Sequence, residues 1–552
     1  MQDAVCTATG PSEESPEELS APVSASREIS GSRGVKAGTV TNWGLTVLSA
    51  LLLVLSFPDF NWSLLAWVGL VPLLVVIASQ PTRRRSFLCG WLTGAAFFYG
   101  TCYWLTYSMV HFGGISTWLA YALLVPGALV VGFFPATFAL ALAQLIRRWG
   151  LRALFAAPLL WVTVEWARLS VTGQLWNAIG YSQAYQPSLI QAARWGGVYA
   201  VGFLIVTVNA AIALALLKRT AKTTALAALV VASTATVIFA CKVTARSNAS
   251  TTSSNQPVAT VIALQPNVPM EPVNSASEMQ QLINRHLSMS AAALGELNNH
   301  DLPRLVVWPE SPMNFAYTGD AEFRDLVTRF TQQHHAALIF NSQEPAPENG
   351  LYNSALMVNE AGRPIAQYDK IRLMPFGEYV PLPHWLPGSN AVRAIVGDFT
   401  PGTKYTLMPL GNERAGVFIC IESAYPWLAR TLTDQGADVL INISNDGYLG
   451  PTAVMRQHLA NVIFRAVENG RPLLRVTNTG ISAYVAPSGE VSDATQSFQP
   501  AVRTWTITPA GNEKTFYTRH GDLFVGACAV LSLLTFGLSF AAANGRGTIR
   551  SV

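Results

Sequence analysis

Charge is what this chain has least of. Lys, Arg, Asp and Glu make up 12% of its 552 residues, where an ordinary soluble domain carries about 25%. Hydrophobic residues reach 50% and the mean hydropathy is +0.30, so a chain of several domains must place part of itself in a bilayer. The net charge of +4 is small and no basic run is interleaved with aromatics, which excludes nucleic acid as a partner. Metal-ligand spacing is missing too: His334 and His335 are adjacent and have no Cys or His partners in register. His458 reads as an ordinary polar helix residue, and no glycine stretch forms a phosphate loop. Residues 1–40 lack any apolar period and are expected to be a disordered tail. They also lack a charged n-region followed by an apolar h-region, so no cleaved signal peptide is expected. Cysteine is scarce: Cys420 is the only one between Cys241 and Cys528.

What the chain does have is long apolar segments. They fall at about 43–57, 62–79, 87–107, 117–146, 151–171, 193–217 and 224–240, all within residues 41–245, with a last one near 523–542. A helix needs roughly 20 apolar residues to cross the hydrocarbon core. The first two are short, and the turn "PDFN" between them fits either two spans or a re-entrant hairpin. The loops "PTRRRS", "RRWGLR" and "KRTAK" and the terminal "GRGTIR" are basic, whereas "PDFN", "VHFGG" and "VTGQLWNAIGYSQAYQPS" have no Lys or Arg. About eight spans put every basic loop on one side, the cytoplasm by the positive-inside rule. Both termini are then cytoplasmic, and the insert between the last two spans is extracytoplasmic. Within "VEWARL", Glu165 and Arg168 share one helical face near the outer end of a span. They suit either a functional site or an ion pair that locks helices together.

Residues 257–508 read differently. Nine short strands alternate with helices near 278–294, 321–333, 427–435 and 452–468, the pattern of a layered α/β domain. "NEAG" marks a hairpin turn between two of the strands. Reactive residues stand where strands stop: Glu310 after Pro309 in "LVVWPES", Lys370 in "AQYDKIRLMPFGEYVP", and Cys420 in "GVFICIES". Ligands of α/β domains bind beyond the carboxyl ends of strands, so a carboxylate, an ammonium and a thiol can meet at one rim. Extracytoplasmic cysteines are normally paired; a lone thiol there suits a nucleophile as well as a small buried hydrophobe.

"WPES", "YDKIRLMPFGEYVP" and "GVFICIES" resemble the Glu–Lys–Cys pattern of the nitrilase, or carbon–nitrogen hydrolase, superfamily. Set among membrane spans, with "FPDFNWSLLAWVGLVPLL", "GQLWNAIGYSQ", "INISNDGYLG" and "RQHLANVIFRAVENGRPLLRVTNTG", they resemble the apolipoprotein N-acyltransferase family. The resemblance implies a polytopic helical membrane domain of about eight transmembrane helices plus an extracytoplasmic nitrilase-like αββα sandwich, held at the outer face of a bacterial inner membrane. It implies a monomer without cofactor or metal. It also implies transfer of an acyl chain from a phospholipid, phosphatidylethanolamine, to the terminal amine of a diacylglyceryl-modified apolipoprotein. Two departures stand out: Ile421 where an aromatic is common, and Tyr448 and Leu449 where Trp and Phe are expected.

The chemistry then has assignable roles. Glu310 is expected to take the Cys420 proton as general base. Lys370 and the Ile421 backbone N–H are expected to hold the oxyanion, with Lys370 also lowering the thiol pKa. Glu378 and Glu422 are expected either to orient Lys370 and the substrate or to serve as structural hydrogen-bond groups, and Asn353 to point inward. Glu165, Arg168, Trp176, Asn177 and Tyr448 are candidates for a lipid or substrate pocket. The rival readings are a membrane-tethered amidase and a catalytically inactive lipid- or protein-binding module.

Overall fold

The computed structural model describes residues 39–251, 256–270, 275–297, 301–310, 313, 315–380, 385, 399–511 and 513–544. Most of the expected N-terminal tail and the last eight residues lie outside these. Among the described residues, three helical stretches are long and apolar enough to cross a membrane: Thr117–Thr172, Ala193–Lys218 and Ala221–Ala245. Shorter apolar helices cover Asn42–Leu55, Ser63–Ser79 and Leu523–Ser539. The segment expected at 87–107 is divided into helices Arg83–Thr101 and Leu105–His111. The tightest helix pair has a plain sequence cause. Gly90 and Gly94, one turn apart, face Gly132 and Pro135 of helix Thr117–Trp149, and a Cβ on Gly90 would come within 2.6 Å of Ala139. Small residues at this spacing let helix backbones approach.

The rest folds as two six-stranded mixed sheets, ordered β12-β1-β2-β3-β4-β5 and β11-β10-β9-β8-β7-β6. In the first, β1 (Ala259–Gln265), β2 (Arg304–Val307) and β3 (Ala337–Pro345) run parallel; β4 (Leu351–Val358), β5 (Pro364–Asp369) and β12 (Ala501–Ile507) are antiparallel to their neighbours. In the second, β7 (Glu413–Ile419), β8 (Val439–Ser444) and β9 (Leu473–Thr477) run parallel; β6 (Leu407–Leu410), β10 (Ala483–Val485) and β11 (Val491–Ser492) complete it. The sequence pattern missed β6, β11 and β12; β6 and β11 are only four and two residues long. Side-chain alternation assigns the layers. Val261, Ala263, Leu305 and Val307 join Val417, Ile419, Val439 and Ile441 in one core between the sheets. Ile262, Leu264, Val306 and Trp308 turn the other way onto helices Ala276–Gly295 and Ala321–His334.

The inter-sheet core continues into the helical bundle through helix Val454–Asn469, buried at every position but Arg456. A helix buried all round has no solvent face, so its polar residues must find partners. Gln457 Oε1 accepts from Trp104 Nε1 (3.0 Å) and Trp176 Nε1 (2.9 Å). Its Nε2 donates to Pro58 O (3.1 Å) and Thr101 O (2.9 Å). Further along, Arg465 binds Tyr181 Oη (3.1 Å) and Glu468 (2.8 Å). Glu468 in turn accepts from Val198 N at 2.9 Å. That N–H is free because helix Ala193–Lys218 is broken at Gly196 and Gly197, the latter left-handed at φ 64°. A carboxylate of the α/β domain therefore caps a helix of the bundle, a position where negative charge is stabilised.

Removing one partner of a fully buried ion pair costs about 3–5 kcal/mol. Glu468→Ala is expected to destabilise the detergent-solubilised protein by that order, read as a lowered thermal midpoint. Glu468→Gln, which keeps an acceptor for Val198 N–H, is expected to fall between the two. A midpoint unchanged in Glu468→Ala would show that the cap does not hold the two parts together.

Candidate active site

Three strand ends deliver the residues. β2 stops before Pro309, which has no N–H for a ladder, and Glu310 follows. β5 ends at Asp369, and Lys370 is fixed by its own N–H to Asn353 O (2.8 Å) and its carbonyl to Gly402 N (2.8 Å). β7 ends at Ile419, and Cys420 opens a short 3-10 turn, Cys420–Ala424, with φ +53°. Left-handed backbone at a residue with a Cβ costs on the order of 1–3 kcal/mol and persists only when its surroundings impose it.

Around Lys370 the contacts converge. Its Nζ lies 3.2 Å from Glu310 Oε1 and 2.9 Å from Glu378 Oε1. Asn353 Nδ2 donates to the same two oxygens, at 3.0 and 2.6 Å. Asn445 N donates to Glu310 Oε2 (3.1 Å), and Met374 N to Glu378 Oε2 (2.7 Å). Burial by itself would drive the Lys370 ammonium down, but the Glu310 and Glu378 carboxylates outweigh it and hold the pKa well above its ordinary value. Lys370 is thus a fixed positive charge at neutral pH.

Glu422 joins two of these loops. Its carboxylate accepts from Ile419 N (2.7 Å) on the cysteine side and from Ile371 N (2.8 Å) and Arg372 N (3.0 Å) on the lysine side. Tyr368 Oη donates to it at 2.9 Å. Burial pushes this carboxyl up to about 7 against those donors. Glu422 therefore spans the gap between strand ends of two different sheets.

The Cys420 carbonyl is held by a closed ring of buried groups. His458 Nε2 lies 3.0 Å from Cys420 O, and His458 Nδ1 lies 2.8 Å from Asp446 Oδ1. Asp446 Oδ2 accepts from Arg475 Nη2 (2.6 Å), and Arg475 Nη1 donates to Asn442 Oδ1 (2.5 Å). Asn442 Nδ2 returns to Cys420 O at 3.4 Å. Arg475 and His458 hold the Asp446 carboxyl well below its ordinary value despite burial, which acts to raise it. The left-handed cysteine is over-determined in the way such a conformation requires.

These sites sit in recognisable sequence. Residues 49–211 match the family described as apolipoprotein N-acyltransferase N-terminal domain, and residues 261–515 match carbon-nitrogen hydrolase. The apolipoprotein N-acyltransferase of Geobacter metallireducens is 32% identical over 510 residues, covering 90% of this chain and 95% of the relative. The chain belongs to the apolipoprotein N-acyltransferase family. The relative of that name from Chlorobaculum tepidum is 27% identical, covering 88% of this chain and 94% of its own length. A mutant Nesterenkonia AN1 amidase of the nitrilase superfamily covers 50% of this chain and 99% of its own at 15% identity and a TM-score of 0.34.

For an apolipoprotein N-acyltransferase family member, the thiol needs one correction. Lys370 was expected to lower its pKa, and that pull exists. Burial, and next the Glu310 charge, push the other way and prevail, so the Cys420 thiol stands well above its ordinary value. A resting thiolate is not what this geometry stores.

The remaining expected residues fall in two places. Glu165 and Arg168 do not close on each other: Glu165 Oε1 accepts from Ile179 N (2.8 Å), and Arg168 Nη1 donates to Trp176 O (2.8 Å). Both charges tether the loop "GQLWNAIGYSQ". With Asn177 they line a cavity of about 30 Å³. Trp176 and Asn177 also turn to Gln457 Oε1, at 2.9 and 3.4 Å. Tyr448 is 51% exposed, with the Phe112 ring 5.3 Å away and its carbonyl bound by Ser108 Oγ at 2.5 Å. Ile421 is buried one residue beyond the cysteine.

His458 is more than the polar helix residue its sequence suggested. Asn442, Asp446 and Arg475 were missed with it. Their signal was present: Asn442 and Arg475 interrupt the apolar strands "VLINIS" and "LLRVT", where a polar group must be paired.

Two outcomes are expected. Glu310→Gln removes a charge that raises the thiol pKa, so iodoacetamide should alkylate Cys420 faster at pH 8 than in the wild type. Acyl transfer should meanwhile fall by about 10²–10⁴-fold. A parallel loss of both would show that Glu310 only shapes the site. His458→Ala should lower the single-turnover acylation rate by about 10²-fold through misplacement of the sulfur, with KM little changed. His458→Gln, whose side-chain amide can donate to Cys420 O, should recover part of it; a loss confined to KM would remove His458 from positioning.

Proposed function

We propose that the chain transfers an acyl group from a phospholipid to the terminal amine of a diacylglyceryl-modified apolipoprotein, through a thioester on Cys420. The observation that carries this reading is the convergence of Cys420, Glu310 and Lys370 on one rim, in a domain locked to an apolar helical bundle. Glu310 takes the thiol proton while sulfur attacks the ester carbonyl carbon. Lys370 and the Ile421 N–H receive the oxyanion. As the tetrahedral centre collapses, the carbon–oxygen bond breaks and Glu310 returns the proton to the departing lysophospholipid. The acceptor amine then attacks the thioester, Glu310 accepts its proton, and the freed sulfur is reprotonated. Glu378 and Asn353 hold Lys370 and Glu310 apart from solvent, and Glu422 fixes their spacing to the nucleophile.

Both substrates carry acyl chains that leave a bilayer at about 0.8 kcal/mol per CH₂, so the rim belongs at leaflet level. The basic-loop alternation supports a helical part at 41–245 and a last helix at 521–543, about eight spans in all. It also supports a catalytic part at 257–508 facing the periplasm and cytoplasmic tails at 1–40 and 544–552. The acyl donor is proposed to be phosphatidylethanolamine and the working unit a monomer.

Incubation of the purified protein with acyl-labelled phosphatidylethanolamine is expected to leave hydroxylamine-labile label on the wild type and none on Cys420→Ala. An unlabelled wild type under turnover conditions would sink the acyl-enzyme. Free fatty acid without acylated lipopeptide would point to an amidase-like hydrolase.

A further inference from the structure

A second cavity lies away from the catalytic rim, where the helical bundle meets the α/β domain. Its volume is about 850 Å³, within the range of ligand pockets (roughly 300–1,000 Å³). Four Lys and Arg side chains line it, and three of them, each from a separate helix, are not engaged in an ion pair: Arg194 near the start of helix Ala193–Lys218, Lys242 in the last part of helix Ala221–Thr251, and Arg519 in helix Phe516–His520. Among the described residues, Lys242 and Arg519 make no side-chain hydrogen bond or ion pair, and Arg194 reaches only Pro487 O, at 3.4 Å. The Arg194 guanidinium lies against Gly470, where a Cβ would stand 3.0 Å from its Nη2. Nearby Lys514, by contrast, is already engaged with Asp434 at 2.8 Å.

The cavity also contains an unmet acceptor. Gln191 is 4% exposed; its Nε2 donates to Pro187 O and Ser488 O, at 2.6 and 2.8 Å, and its Oε1 has no partner. A buried carbonyl oxygen left unpaired is costly, so a ligand bearing a donor is favoured there. Glu490 and Glu513 also line the cavity, and their carboxylates suit a ligand's cationic or hydroxyl end. Beside the opening, Trp195 and Phe516 are half-exposed with ring centres 5.6 Å apart. Indole and phenyl rings so placed belong at the boundary of water and lipid.

We infer that this cavity binds a phospholipid, its phosphate held by Arg194, Lys242 and Arg519 and its head-group donor facing Gln191 Oε1. The ligand chemistry is a phosphodiester whose head group carries an ammonium or hydroxyl, as in phosphatidylethanolamine or phosphatidylglycerol. The site is separate from the acyl-donor site at Cys420, and it rests on the membrane reading given above. A lipid held there would tie the catalytic domain to the leaflet surface at a point where two bundle helices and the α/β domain meet.

Native mass spectrometry of the detergent-solubilised full chain, titrated with dioleoyl-phosphatidylethanolamine or dioleoyl-phosphatidylglycerol, tests this. At least one of these lipids is expected to remain bound, and the Lys242→Gln/Arg519→Gln double variant is expected to bind it at least tenfold more weakly. Cys420 acylation in that variant should stay within twofold, which shows that it is folded. Gln191→Leu should weaken binding while leaving all three cations in place. Equal binding by wild type and double variant would overturn the site. Displacement of the lipid by millimolar inorganic phosphate would replace it with a free-anion site, and equal binding of phosphatidic acid would remove Gln191 from recognition. Carbonate extraction of the same cell membranes tests the underlying reading separately. A chain released by carbonate would overturn membrane insertion, whereas an unaltered lipid affinity in the variant would overturn only this site.

Discussion

The structure depends on one helix buried at every position but Arg456. Val454–Asn469 lies between the second sheet and the helical bundle, and Gln457, His458, Arg465 and Glu468 have polar partners. Gln457 binds the bundle, and His458, the next residue, meets the Cys420 carbonyl. Adjacent residues on a helix point about 100° apart, which is how one turn serves two partners. Arg465 and Glu468 repeat the arrangement three residues apart, linking Tyr181 and the N-terminus exposed at the Gly197 break. Hydrophobic contact alone is non-directional; these bonds give the docking a fixed register.

The catalytic rim uses the same device. Carboxylates would not ordinarily be gathered around one site, and each here has a stated reason. Glu310 and Glu378 share Lys370 and Asn353, so their repulsion is offset by donors common to both. Glu422 takes three backbone N–H groups from two loops and so replaces a direct hydrogen bond between the sheets. Burial and the Glu310 charge hold the thiol well above its ordinary pKa, which protects a lone cysteine better than a stored thiolate would.

Much of this was legible in sequence, for identifiable reasons. The central strands are apolar runs cut by Pro309, Asp369 and Cys420, so strand ends and reactive residues coincide in the text as they do in space. Helix Val454–Asn469 announced its end through Gly470, left-handed at φ 62°. The strands β6 and β11 escaped because two to four residues carry no period. The break between Arg83–Thr101 and Leu105–His111 escaped because its residues are as apolar as their neighbours. Pairing was the least readable level. Glu165 and Arg168 look like partners at helical spacing, yet each bonds the backbone of a loop that follows them, and no local pattern encodes that.

The buried helix also sets an order on biogenesis. Residues 39–251 leave the ribosome first, and chains fold broadly from the N-terminus as they are made. Until residue 469 has followed, the Trp104 and Trp176 indole N–H groups and the Val198 amide have none of the acceptors they meet in the finished protein. The early bundle is therefore an incomplete object that must wait through some two hundred further residues for its last internal piece. Quality control of this chain has a natural checkpoint there: a copy whose catalytic domain fails to fold also leaves polar groups bare inside its bundle, and so betrays itself within the membrane.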